Sequence, residues 1–295
     1  MEGVLCDLSV IKKLPVVVRE GGWKVTVTLL DDGEEIEIVD VQTGDLVKKR
    51  FGIAVDIGTT SIVVYLVDLV DARIVDVASS YNPQMKYGDD VITRIVYATS
   101  KQNGLSVMKD LVISNVNTLT EGIAKKNNID LNLIDNIVIA GNTTMTHLFY
   151  GVNPQYIREE PYVPVANLFP LTKAKDIGIK VNEQAVLYSL PSIASYVGGD
   201  ITSGVLASGM CRTKELILFI DIGTNGEIVL GNCEWFITTA CSAGPCFEGG
   251  GVKFGMRAMN GAIEQVTIDR ETYEASYKVI GNVKPTGICG SGMID

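Results

Sequence analysis

The chain has 295 residues, 46% of them hydrophobic, enough for one large or two medium domains around a sizeable core. A net charge of −10 and an isoelectric point near 4.7 argue against a nucleic-acid partner held by a basic surface. No basic-then-apolar leader is seen and no apolar run reaches the length of a membrane span, residues 62–69 being strand-sized and interrupted by Asp68, so a cytoplasmic protein is expected.

In chain order, residues 1–50 read as a small β element: 23–30 alternate as a strand, Asp31-Asp32-Gly33 turns, and 35–41 return. Strands follow at 51–57, 61–69 and 72–79, then a loop rich in Asn, Pro and Gly over 80–88. A helical stretch over 89–126 is broken near Asn103-Gly104. A strand at 136–140, a short helix at 142–150, an irregular segment with four prolines over 151–180, a strand at 185–190 and a glycine-rich helix over 195–210 come next. The second part opens like the first, with strands at 216–222, 226–232 and 235–241. Glycine- and proline-rich sequence covers 243–261. Strands near 262–268 and 274–280 lead to a helix that begins at Gly287.

The strongest signal is a repeated turn. Asp56-Ile57-Gly58-Thr59 recurs as Asp221-Ile222-Gly223-Thr224, each copy set between two apolar strands. Gly58 and Gly223 are expected to supply positive φ and a close backbone approach, so that N–H groups form an anion-binding nest. Thr59, Thr60 and Thr224 add hydroxyl donors, and Asn225 and Gly226 complete the second turn. Asp56 and Asp221 sit at strand ends, where carboxylates can hold Mg²⁺ through water. Two facing phosphate hairpins of this kind resemble those of the actin, sugar-kinase and heat-shock-chaperone superfamily. That likeness implies an α/β fold: a complete actin-like (ribonuclease H-like) half-domain over 51–212, an incomplete second half-domain over 213–295, and the small β element before them. The second part stops where its first helix begins, so the chain is expected to be a fragment.

Longer strings narrow the resemblance. Residues 80–94 (SYNPQMKYGDDVITR), 140–149 (AGNTTMTHLF), 196–204 (YVGGDITSG) and 287–295 (GICGSGMID) together resemble the ATP-dependent reductive activators of corrinoid proteins. Membership implies ATP and Mg²⁺ as ligands and a corrinoid protein as partner, whose cob(II) centre is returned to cob(I). A homodimer is left open. The family's iron–sulfur cluster is expected only in a domain preceding these residues, because no cysteine spacing here suits it. The six cysteines contain no C-x-x-C pair and read as buried thiols; Cys241 and Cys246 lack partners for a tetrahedral site. Much of the superfamily's adenosine pocket lies in the part of the second half that is absent.

Within that resemblance Gly58, Thr59, Thr60, Gly223, Thr224, Asn225 and Gly226 cradle phosphates, and Asp56 and Asp221 position Mg²⁺. Asp200 reads either as the carboxylate that orients a nucleophile or as a plain helix N-terminal carboxylate. Glu227 is a candidate for holding water or an ion pair. Asn142, Thr143 and Thr144 read as an N-cap and first turn or as ligands. His147, the only histidine, is a cobalt ligand, a proton relay or a core residue. Tyr81, Asn82, Pro83 and the 84–90 segment face the partner or form an ordered connection. A small-molecule kinase with Asp200 as base, and a non-catalytic actin-like scaffold, are the competing readings.

Overall fold

The computed structural model describes residues 4–294 except 32, 243, 245, 247, 248 and 250. The expected turn residue Asp32, parts of the 243–261 segment and the terminal Asp295 therefore lie outside the described residues.

The N-terminal unit holds β1 (Val4–Cys6), α1 (Leu8–Glu20), β2 (Val25–Asp31) and β3 (Ile36–Thr43), in a three-stranded sheet of order β1-β3-β2. The hairpin of β2 and β3 is the one expected, but α1 and β1 are not. Pro15 and the run Val16-Val17-Val18 disfavour a helix on propensity. Packing overrides this: Asp7 caps α1 by accepting from the Ser9 N–H at 2.7 Å, and Val10 is buried.

The main sheet is built from β4 (Phe51–Ile57), β5 (Ser61–Asp68), β6 (Arg73–Tyr81), β7 (Ile134–Gly141), β8 (Thr172–Lys173) and β9 (Val186–Ser189), in the order β6-β5-β4-β7-β9-β8. β4, β5 and β6 form an antiparallel meander, while β7 and β9 run parallel to β4. β4 and β7 are buried along most of their length, as the apolar runs require. Helices α2 (Val91–Ser100), α3 (Gly104–Lys126), α4 (Thr143–Tyr150), the single turn α5 (Ala174–Ile177) and α6 (Gly199–Ser208) accompany it. The α2–α3 break falls where Asn103-Gly104 places it. The core joins Ile53, Val55, Ile57, Val64 and Leu66 of the hairpin to Met108, Val112 and Val116 of α3 and to Ile137, Ile139 and Leu148.

Beyond residue 212, β10 (Ile217–Ile222), β11 (Asn225–Asn232) and β12 (Trp235–Ser242) repeat the antiparallel meander. β13 (Ala262–Ile268), β14 (Ala275–Val279) and β15 (Gly287–Ile288) make a further sheet, with α7 (Gly290–Ile294) after it. The second buried cluster is small and lies at the junction: Val197, Ile201 and Met210 come from before residue 212 and Val229 from β11, with Phe219 of β10 packed against them. Leu218, Ile220 and Ile222 of β10 are exposed.

The cysteines depart from expectation. Cys289 is buried, but Cys6, Cys233, Cys241 and Cys246 are exposed. Cys233 and Cys241 sit on or beside the meander of the second part, much of whose surface is open.

Candidate functional site

The two repeated turns meet. The β4–β5 turn and the β10–β11 turn approach so closely that the Thr60 and Thr224 hydroxyls hydrogen-bond at 2.7 Å. Between the turns lies a polar cleft of about 140 Å³ lined by Asp56, Gly58, Thr59, Asn142, Asp200, Asp221, Gly223, Thr224, Asn225 and Glu227, with Ser61 beside them. Thr60, Thr224 and Asn225 also line an adjoining space of about 590 Å³. Gly226 does not reach the cleft; it is a buried strand residue of β11, paired with Ile222 and Cys241. Ser61 went unnoticed in the sequence, although it directly follows Thr59-Thr60.

The role given to glycine needs correction. Neither Gly58 nor Gly223 is among the described glycines at positive φ. Gly58 is required for space: a Cβ there would lie 2.8 Å from the Ser61 carbonyl oxygen. The second turn closes through a Gly223 N–H bond to the Asn225 carbonyl at 2.9 Å.

Asp200 arrives from α6. The helix begins at a glycine pair because a Cβ on Gly198 would sit 2.3 Å from the Gly141 oxygen, and one on Gly199 2.7 Å from the Leu190 oxygen. That close approach brings the first turn of α6 against the end of β7 and turns Asp200 into the cleft. One carboxylate oxygen accepts from the Ile201 N–H at 2.9 Å, so the helix-terminal role and the cleft position coexist. Asn142 is the N-cap, one of its two readings, and it also lines the cleft. Its oxygen caps α4 through the Met145 N–H at 2.9 Å, and its amide donates to the Thr59 hydroxyl at 3.0 Å. Thr143 and Thr144 are buried, and neither lines the cleft; the Thr143 hydroxyl donates to the Ala194 carbonyl.

Four carboxylates therefore share one cleft, and their charges conflict. Asp56 is exposed by area and lines the cleft, where desolvation by the surrounding protein is the first cause of its shift. It is pushed up to about 6, with the Asp221 charge adding. Burial pushes Asp200 up to about 7; the Asp56 and Asp221 charges add to this and the Ile201 N–H opposes it. Glu227 is buried and also pushed up to about 7, by burial and then by Asp200 and Asp221. Asp221 is raised by burial. Asp221 and Glu227 are direct cross-strand partners, an arrangement that is unfavourable without a cation.

A hard cation fits this donor set of carboxylate, amide and hydroxyl oxygens. Among the described residues no group of three or more His, Cys, Asp or Glu forms a ready metal cage. Mg²⁺ does not require such a cage, since it takes one or two carboxylates and completes its shell from water and phosphate. Asp56 and Asp221 are the carboxylates at the equivalent positions of the two hairpins.

His147 is a core residue. It is fully buried, its Nδ1 is 2.7 Å from the Thr143 carbonyl oxygen, and its ring packs edge-on against Phe169 at 5.3 Å. Burial lowers its pKa, and a side chain sealed from solvent cannot reach a partner's cobalt. In the 80–94 segment Tyr81 is exposed, whereas Asn82, Gln84 and Arg94 are fully buried.

Comparison with known proteins agrees with the repeated turns. The family profile described as the RACo middle region matches residues 51–213. The profile of the C-terminal domain of RACo, the ASKHA domain, matches 215–295, and that of the RACo linker region matches 1–48. The chain belongs to the RACo family. Its fold is accordingly the actin-like α/β fold of the ASKHA group. The chain is 34% identical over 289 residues to the corrinoid activation enzyme RamQ of Eubacterium limosum, across 98% of this chain and 48% of the relative. It is 25% identical over 278 residues to the [Co(II) methylated amine-specific corrinoid protein] reductase of Methanosarcina barkeri, across 83% of this chain and 49% of that one. A solved structure, a reductive activator for a corrinoid, iron–sulfur protein, superposes with a TM-score of 0.91 at 45% identity, over 99% of this chain and 47% of that chain. The chain thus spans about half the length of these relatives. Among the described residues no helix is long and apolar enough to cross a membrane.

Proposed function

We propose that this chain carries the phosphate- and metal-binding part of an ATP-dependent activator that returns a corrinoid protein's cob(II) centre to cob(I). The observation behind the proposal is the junction of the two Asp-Ile-Gly-Thr turns, tied by Thr60 and Thr224 above a cleft of four strained carboxylates. Gly58, Thr59 and Thr60 on one side and Gly223, Thr224 and Asn225 on the other hold the triphosphate. Asp56 and Asp221 hold Mg²⁺, with Glu227 behind Asp221. Bound Mg²⁺ would neutralise phosphate charge and relieve the repulsion among these carboxylates. Asp200 orients water towards the terminal phosphate, if the nucleotide is turned over.

ATP does not carry the electron. Its contacts bridge both hairpins, so it binds more tightly when the turns are closed on each other, and it shifts the conformational equilibrium by that difference in affinity. The electron comes from an iron–sulfur domain outside these residues. A corrinoid protein in the cytoplasm is the partner. The relatives whose names state an activity are corrinoid activators, and nothing in the site favours the kinase or scaffold readings.

Calorimetry with Mg²⁺-ATP and Mg²⁺-tripolyphosphate tests the site. Both should bind the chain, tripolyphosphate needing no nucleoside pocket. Asp221→Asn should weaken both by about tenfold or more, the loss of one charge-assisted contact. Absence of binding, or an Asp221→Asn variant that binds as wild type, sinks the proposal.

A further inference from the structure

Three consecutive carbonyls of the first turn are each gripped by a side chain from elsewhere. Asn82 Nδ2 donates to the Gly58 oxygen at 2.9 Å. Arg94 Nη2 donates to the Thr59 oxygen at 2.6 Å. Arg257 Nη2 donates to the Thr60 oxygen at 2.6 Å, and the Asn82 N–H reaches the same oxygen at 2.8 Å. The three side chains come from the end of β6, from α2 and from the segment between β12 and β13.

In a planar trans peptide the carbonyl and the following N–H point in opposite directions. The one described cis bond is far away, at Glu160–Pro161. Holding the oxygens of Gly58, Thr59 and Thr60 therefore fixes the directions of the N–H groups of Thr59, Thr60 and Ser61, each pointing away from the carbonyl bonded to it. Gly58, Thr59 and Ser61 line the acidic cleft, and Thr60 lines the space beside it. A cation on a carbonyl also polarises its peptide and strengthens the attached N–H as a donor.

This arrangement is costly, which argues that it is not filler. Arg94 is fully buried and yet remains a cation at neutral pH: burial lowers it to about 10, with Asp89 and Asp90 acting against the fall. Its other bonds go to the Gly88 carbonyl at 2.8 Å, the Gln84 side-chain oxygen at 3.3 Å and the Met145 sulfur at 3.3 Å. Gln84 is anchored in turn by donating to the Met108 carbonyl at 3.0 Å. Arg257 is half-buried and stacks on Tyr81, its guanidinium carbon 3.2 Å from the ring centroid. At the second turn the Thr224 and Asn225 carbonyls accept from backbone groups, the N–H of Gly244 and the N–H of Gly223.

We propose that Asn82, Arg94 and Arg257 are positioning residues that aim the N–H groups of the first turn at the phosphates of a nucleoside triphosphate, so the 80–94 string works inward. The proposal rests on the phosphate-site reading above. Asn82 and Arg94 belong to the first half of the chain, whereas Arg257 belongs to the second. The turn is fully braced only when Arg257 is seated on Tyr81. Triphosphate binding and that contact then favour each other by the same factor.

The test uses the full 295-residue chain with Arg257→Gln, Arg257→Lys, Tyr81→Phe and Tyr81→Leu. Arg257 is half-buried, so these variants should fold; Arg94→Met is a further variant whose folding the test does not need. Amide hydrogen exchange at Thr59, Thr60 and Ser61 is read without ligand, and Kd is read for Mg²⁺-tripolyphosphate. Arg257→Gln should speed exchange at these amides and weaken binding, each by about tenfold, with little change in Tm. Arg257→Lys should recover part of both effects, Tyr81→Phe should match wild type, and Tyr81→Leu should fall between. Unchanged amide exchange in Arg257→Gln overturns the brace, whatever the chain binds. Faster exchange with unchanged Kd overturns its link to phosphate. A wild-type chain that binds no Mg²⁺-tripolyphosphate ends the phosphate reading, and with it the use proposed for the brace.

Discussion

At the scale of single residues, the carboxylate pair Asp221 and Glu227 shows what the site lacks without a cation. Like charges directly opposite on paired strands repel, and β10 and β11 place these two in that register. Glu227 is pushed from its ordinary 4.5 to about 7. The native state then holds a proton that the unfolded chain has released between those values. Stability from this group is therefore present below pH 4.5 and lost as the pH rises through about 7. Glu227→Gln removes the charge but keeps the shape. In chelator at pH 8 it should stabilise the chain by about 1–2 kcal/mol, and the advantage should vanish by about pH 4.5. Mg²⁺ should stabilise wild type more than the variant. Urea denaturation of both proteins across this range, with and without Mg²⁺, is the measurement. A variant no more stable than wild type at pH 8 would mean that Glu227 is already neutralised, and the cation site would be wrong.

Elements are placed by glycines that look alike in sequence and act differently in space. Gly198→Ala forces a Cβ to within 2.3 Å of the Gly141 oxygen and 2.4 Å of the Asn142 Cα, both backbone atoms that cannot yield cheaply. It should cost about 1–3 kcal/mol and shift α6, moving Asp200 and weakening Mg²⁺-triphosphate binding. Gly122 lies exposed within α3, and a Cβ there meets nothing within 4 Å. Gly122→Ala should stabilise by about 0.5–1 kcal/mol and leave binding alone. Thermal melts and titration of the two variants separate the cases; equal effects would remove the packing argument. The same contrast explains what the sequence could show. The hairpins β4–β5 and β10–β11 were legible because apolar runs on either side of an Asp-Ile-Gly-Thr turn are local signals. That Asp56 and Asp221 would face each other followed from the repeat and a superfamily likeness, whereas the sequence left the places of Asp200 and Glu227 open. Helix α1 was hidden by Pro15 and its valines, and β8 by its length of two residues. The inward role of Asn82 and Arg94, and Arg257 altogether, were illegible because their partners lie 24, 35 and 197 positions away.

For the whole molecule, the decisive quantity is how unevenly the core is shared. The N-terminal unit is fastened to the main sheet by buried polar groups. Asn182 donates to Asp40 at 2.8 Å and to Asp135 at 3.0 Å; Lys13 pairs with Asp40, and Arg50 pairs with Asp135 at 2.7 Å. Asn182→Leu strips an amide donor from two buried carboxylates at once and should cost about 2–4 kcal/mol, a fall of several degrees in Tm. Among the described residues, the part beyond residue 212 is held to the rest by a small cluster around Val229, the α6–β10 contact, the turn bonds of Thr60 and Arg257 and the stacking of Arg257 on Tyr81. Its strand β10 leaves Leu218, Ile220 and Ile222 open to water. Local opening is cheapest where few apolar groups are buried. Limited proteolysis should therefore cut within 213–294 first and leave 51–212 as a resistant core. Mg²⁺-tripolyphosphate should slow the early cuts, because its ligands come from both turns. Early cutting within 51–212 would show that the large buried cluster is not the stable unit, and unchanged early cuts with ligand present would show that the two turns do not close on one anion.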